Sequence, residues 1–174
     1  HSILETRRDQ MFPVLTPHEI ERMRRFGEPR RYRKGEFVVR AGGQTDGLLL
    51  ILSGEISMEP REQHDRPIVV HGPGQFLGEL SQLSGRPTLV DGVALSDVEA
   101  LMIPPLRLRD LLVQEAELGE HIMRALILRR VGLLEQNVGG PTIIGRGDNR
   151  DVLRLQEFLR RNGHPFHQLD PETD

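Results

Sequence analysis

Between Arg30 and Ile103 the chain breaks into short apolar runs separated by glycines, and this pattern confines it to a close-turned β architecture. Phe37-Val38-Val39, Leu48-Leu49-Leu50-Ile51-Leu52, Glu55-Ile56-Ser57-Met58, Ile68-Val69-Val70, the run from Val90 to Leu95, and Ala100-Leu101-Met102-Ile103 read as strands. Gly35, Gly42-Gly43, Gly47, Gly54, Gly72, Gly74 and Gly92 punctuate them, as tight turns and barrel corners require. Many short strands at regular spacing, followed by helices, predict a sandwich or jelly-roll barrel.

Helices flank this region. Thr16 can cap, Pro17 fits a first helical turn, and Glu19 stands where a capping box places its carboxylate; Ile20, Met23 and Phe26 give that helix one apolar face, ending at Gly27. Arg22, Arg24, Arg25, Arg30, Arg31, Arg33 and Lys34 cluster nearby, but Glu21, Glu28 and Glu36 are interleaved, and the group reads as a solvated face. After Pro104-Pro105 a short helix is predicted from Leu106 to Val113 and a longer one from about Glu115 to Gln136. On the longer one Leu118, Ile122, Leu126 and Leu133 share one side, with Met123, Ile127, Val131 and Leu134 roughly opposite. A helix apolar on two sides has two partners to satisfy. The β region is one, and the second is expected to be the same helix of a second copy, giving a homodimer through residues 115–136; the other reading is cover by a further domain of the same chain.

The stretch that carries chemistry runs from Ile68 to Asp91. An apolar strand enters a Gly72-Pro73-Gly74 turn and then Phe76-Leu77-Gly78-Glu79-Leu80-Ser81, where a short helix over residues 78–84 can begin. A glycine at a helix start lets backbone approach a ligand, and the free N–H groups there favour an anion. Glu79 can accept hydrogen bonds from hydroxyls. Amides beside a carboxylate suit a sugar phosphate.

This stretch resembles the phosphate-binding cassette of the cyclic nucleotide-binding domain family. The Lys34-Gly35-Glu36 turn, the Ala41-Gly42-Gly43-Gln44-Thr45-Asp46 loop and Leu50-Ile51-Leu52-Ser53-Gly54-Glu55 resemble the same family's β-roll of catabolite activator protein type. The resemblance spans residues 14 to 137. It implies a mainly β fold with α: a cyclic nucleotide-binding β-roll, or jelly roll, with one helix before it and two after. It also implies a ligand site of Gly78, Glu79, Leu80, Ser81, Arg86, Thr88 and Asp91 for a cyclic nucleotide or small anion. In the family an arginine after the Gly-Glu-Leu run pairs with the cyclic phosphate, and a serine or threonine follows. Here those positions are Thr88 and Asp91, and Arg86 lies two residues early beside Pro87. A neutral hydroxyl in place of a bidentate, charge-assisted pair costs a few kcal/mol, so cAMP or cGMP binding is expected to be weakened or lost.

Composition closes other routes. Cys 0 removes disulfides, thiolate metal sites and thiol redox chemistry from these residues. A hydrophobic content of 37% with 28% charged residues is that of a folded globular chain. No apolar run reaches bilayer length and no signal peptide precedes the first charges, so no membrane partner and a cytoplasmic setting are expected. A net charge of −3 and a single tyrosine, Tyr32, offer nucleic acid neither global attraction nor stacking surface, and no nucleic-acid partner is expected. His18, His64, His71, His121, His164 and His167 are scattered and read as surface residues; no catalytic residue and no metal site is expected.

Asn137-Val138-Gly139-Gly140-Pro141 reads as a linker. Beyond it Thr142-Ile143-Ile144 can form a strand, residues 151 to 161 a helix, and Phe166-His167-Gln168-Leu169-Asp170 a second strand: the opening of a β-α-β unit. Gly145-x-Gly147 partly matches a dinucleotide fingerprint, but its third glycine would fall at Arg150. The segment resembles more the entry to a thioredoxin-like domain without its Cys-x-x-Cys. Together with the run from Thr6 to Leu15, it resembles bacterial proteins that join a cyclic nucleotide-binding domain to an FAD-dependent, thioredoxin-reductase-like module. The division expected is an N-terminal extension over 1–13, the binding-type domain over 14–138, and over 139–174 a linker with the start of a second, incomplete domain. The fusion resemblance implies FAD and NADPH only in a portion beyond these residues. It makes the segment non-enzymatic within a whole protein that would be an FAD/NADPH-dependent disulfide oxidoreductase. Two classes stand side by side: a cyclic-nucleotide sensor controlling that oxidoreductase, and a ligand-free module for dimerisation and domain docking.

Overall fold

The computed structural model describes residues 7–60, 69–78, 88, 90–135, 142–162 and 167–169. Among the described residues two short helical segments come first: α1 (Arg8–Met11) and α2 (Pro17–Met23), the latter running into a 3-10 turn, Arg24–Phe26. Eight strands follow: β1 (Glu28–Tyr32), β2 (Phe37–Val39), β3 (Leu48–Ser53), β4 (Ile56–Pro60), β5 (Val69–His71), β6 (Phe76–Leu77), β7 (Val90–Ala94) and β8 (Val98–Ile103). They form two antiparallel four-stranded sheets, ordered β1-β8-β3-β6 and β2-β7-β4-β5. Helices α3 (Pro105–Gln114) and α4 (Ala116–Glu135) close the roll. The jelly-roll expectation holds.

β3 shows why the order is this one. Leu48, Leu49, Leu50 and Ile51 are all buried, a continuous apolar run whose alternate side chains serve different layers. Leu49 and Ile51 join Ile56, Leu77, Ala94, Val98, Ala100 and Met102 between the two sheets. Leu48 and Leu50 turn the other way and pack with Phe76, Leu101 and Ile103 against Met23, Phe26, Leu111, Leu118, Ile122 and Leu126 of the helices. The roll is therefore a sandwich with a helical layer on one outer face. Among the described residues no helix is long and apolar enough to cross a membrane.

α2 begins as its residues predict: the Thr16 side chain accepts from the Glu19 N–H at 3.2 Å, and the Glu19 carboxylate accepts from the Thr16 N–H at 3.1 Å. Two strands depart from the sequence reading. Glu28–Tyr32, taken there as part of a charged surface run, is β1, paired with β8 along its length. It lies at the sheet edge, where charged side chains face water and discourage pairing with another chain; Arg30 and Arg31 pair with Asp46 and Glu99. Phe76-Leu77, expected to lead from the Gly72-Pro73-Gly74 turn into a short helix, is the two-residue β6 against Leu49 and Leu50.

The C-terminal segment is a β-α-β unit, as expected. β9 (Thr142–Ile144) and β10 (His167–Leu169) pair in parallel, joined by α5 (Arg150–Arg161). Asn149 caps α5 by accepting from the Asp151 and Val152 N–H groups. Ile143, Leu159 and Val152 form its small core.

Candidate functional site

The candidate site begins where β6 ends. Gly78 adopts φ 154°, a conformation side-chain-bearing residues rarely take, and a Cβ there would lie 2.8 Å from Leu48 Cδ1. The glycine that the sequence singles out is thus required by the backbone's close approach to the core. Glu79, Leu80, Ser81 and Arg86, with the expected short helix over 78–84, lie outside the described residues.

Thr88 and Asp91 are described, and both are committed to backbone. Thr88 is 2% exposed; its hydroxyl donates to the Arg40 carbonyl at 2.6 Å. Its main chain exchanges bonds with the turn over residues 40–43: Gly42 N–H to Thr88 O and Thr88 N–H to Gly43 O, both 2.8 Å. Asp91, half-buried, accepts from the Ala41 N–H at 2.8 Å. The two positions that should greet a phosphate therefore fix one turn.

The roll holds a partly open cavity of about 80 Å³ whose walls include Val38, Leu49, Met58, Leu77, Gly78 and Met102. Arg30, Thr45 and Asp46 line it on the polar side. The Thr45 hydroxyl is buried without a hydrogen-bond partner, and Arg30 Nη1 bonds Asp46 Oδ2 at 3.1 Å. Neither Thr88 nor Asp91 is among the described lining residues. Pockets for small molecules typically enclose roughly 300–1,000 Å³.

On the far side of the first sheet sits a group the sequence reading missed. Arg129 of α4 is 7% exposed. Its Nε donates to Met11 O at 2.7 Å; its Nη1 donates to Phe76 O at 2.9 Å and Gly78 O at 3.1 Å. The guanidinium lies 4.9 Å from the Phe12 ring centroid and 4.6 Å from that of Phe76. Burial draws its pKa down to about 9. Its position was legible in principle, because residue 129 falls on the same helical stripe as Leu118, Ile122, Ala125 and Leu126, all buried.

His71 corrects the reading of scattered surface histidines. It is 5% exposed, its Nδ1 is buried without a hydrogen-bond partner, and its ring lies 5.3 Å from that of Phe12. Burial, and then the charges of Arg129 and Arg8, hold its pKa down at about 4. Among the described residues no group of three His, Asp or Glu side chains is placed to hold a metal.

Comparison with known proteins agrees with this geometry. The model of the cyclic nucleotide-binding domain matches residues 29–115. The Cyclic AMP receptor protein of Thermus thermophilus is 26% identical over 164 residues, 91% of this chain and 74% of the relative. A CRP-like cAMP-activated global transcriptional regulator of Mycobacterium tuberculosis is 25% identical over 121 residues, 68% of this chain; there the chain spans 54% of the relative's length. Among solved structures, Thermus thermophilus Catabolite Activator Protein shares the fold with TM-score 0.57 at 21% identity, over 88% of each chain. A structure from work on a cyclic-GMP-dependent signalling pathway in bacterial phytopathogenesis gives TM-score 0.60 at 23% identity, covering 68% of this chain and 95% of that one. The expectation of no nucleic-acid partner runs contrary to the Mycobacterium tuberculosis relative, which is named as a transcriptional regulator. With the double-sheet roll, the required glycine at the end of β6 and the matched family model, the chain belongs to the cyclic nucleotide-binding domain family.

Proposed function

We propose that this chain is a regulatory domain of cyclic nucleotide-binding type whose response to cAMP and cGMP is weakened, and which passes its state to an attached module. The observation that carries the reading is the use of Thr88 and Asp91: the hydroxyl donates to Arg40 O and the carboxylate accepts from the Ala41 N–H, so each already serves the backbone at residues 40–41. A phosphate entering beside Gly78 finds no arginine at position 88 and a carboxylate at 91. Loss of one charge-assisted pair costs a few kcal/mol, roughly two powers of ten in affinity. The remaining donors near Gly78, with Leu80, Ser81 and Arg86 beyond it, suit a small anion, and Glu79 suits a ribose hydroxyl.

The attached module is read from the C-terminal unit. Parallel β9 and β10 under one helix leave Ile144, Phe158 and Leu169 exposed at 72%, 60% and 46%. Parallel sheets are normally covered on both faces. This unit thus fits the start of a larger α/β domain, with 14–138 as the regulatory domain and 139–174 as linker and entry. The resemblance to fusions with an FAD-dependent, thioredoxin-reductase-like module makes a cytoplasmic disulfide oxidoreductase, using FAD and NADPH outside these residues, the target of regulation. The second reading is a ligand-free dimerisation and docking module. The half-exposed Ile127 on α4 favours a homodimer under either reading.

Calorimetric titration of the chain and of Asp91→Ser with cAMP and cGMP tests the site. The variant removes the charge together with the carboxylate that accepts from the Ala41 N–H, and should bind more tightly than the parent. Equal affinities would detach Asp91 from the site.

A further inference from the structure

The N-terminal segment is tied down at two points. At one, Met11 O and the Phe12 ring meet Arg129 of α4. At the other, the Leu15 N–H donates to Gly74 O at 2.8 Å in the turn between β5 and β6; a Cβ on Gly74 would come within 2.9 Å of Leu15 O. Residues 11–15 therefore run from the long helix to the β5–β6 turn and are anchored at both ends. Arg129 holds β6, which follows that turn, by the carbonyls of Phe76 and Gly78. A single guanidinium thus carries both the segment and the backbone from which the candidate ligand loop departs.

We propose that residues 8–15 are a regulatory strap, and that Arg129 couples their docking to the conformation of residues 76–78.

Geometry makes the coupling mutual. The donors of a guanidinium are fixed in one plane, so Nε cannot follow Met11 O away without turning Nη1 from its two carbonyls. The grip is also incomplete. Among the described residues Nη2 is buried without a hydrogen-bond partner, and the three acceptors the guanidinium bonds are neutral carbonyls. Buried donors are normally satisfied, so the docked arrangement gives up a bond that a re-aimed guanidinium could make. That narrows the gap between docked and released states, as a switch requires. The two phenylalanine rings guide the choice: Phe76 belongs to the sheet, while Phe12 leaves with the strap. The device acts whether or not a nucleotide enters the roll, and anything that pulls on the N-terminal segment would act through it.

Amide hydrogen exchange on the full chain, without ligand, tests this. Phe12→Ala should speed exchange at Phe76, Leu77 and Gly78 by about tenfold, although residue 12 bonds none of them, while Leu101 and Ile103 in β8 stay protected. Arg129→Lys should release the 10–12 and 76–78 amides together, and adding Phe12→Ala to it should change residues 76–78 no further. Should Phe12→Ala raise exchange everywhere, the milder Phe12→Leu gives the reading, with the same local pattern expected at smaller amplitude. Free exchange at residues 10–12 with unchanged protection at 76–78 would overturn the proposal, and so would additive effects of the two substitutions.

Discussion

His71 carries a titratable ring in a place that resists charge. Its folded pKa, about 4, lies below the ordinary 6.5, through burial first and then the cations Arg129 and Arg8. The unfolded chain therefore takes up a proton that the folded chain refuses. Stability is fully present above about pH 6.5 and falls as pH drops toward 4, by about 3 kcal/mol at most. Thermal melts of the chain should show this decline, and His71→Leu should flatten it; an unchanged slope would place the pH dependence elsewhere. At this scale the sequence was least legible. Arg129 sits on an apolar stripe and His71 follows two valines, but a single side chain's burial depends on what the fold brings over it. Here that is Phe12, which is distant in sequence from both.

Among the elements, legibility followed local physics. The start of α2 could be read because its capping box is complete within four residues. Thr16→Ala should cost about 1 kcal/mol in chemical denaturation, and a neutral result would mean that packing against the roll holds the helix alone. β1 hid behind its charges, since an edge strand need not alternate in hydrophobicity, and β6 is too short to carry a period. Helix α4 was read with two apolar sides, and the structure separates them. Leu118, Ile122 and Leu126 are buried in the core, Met123 is partly buried against it, and Ile127 is 48% exposed. If that outer side meets a second copy, Ile127→Glu should convert a dimer to a monomer in light scattering while the far-ultraviolet dichroism stays constant. Monomer for both proteins at high concentration would leave the outer face to another domain of the same chain.

For the molecule as a whole, the roll was legible because glycines fix where strands must stop, and the run through Gly78 ties that roll to one family. The ligand state was legible only in part. Residue types at 88 and 91 showed a missing cation and an added carboxylate, but not that both groups are turned onto residues 40–43. Calorimetric titration of the unmodified chain with cAMP and cGMP decides whether this cyclic nucleotide-binding fold has an impaired phosphate anchor. The expected outcome is no heat, or binding weaker than roughly 10 μM. Saturable submicromolar binding of either nucleotide would contradict it and show that another cation serves the phosphate.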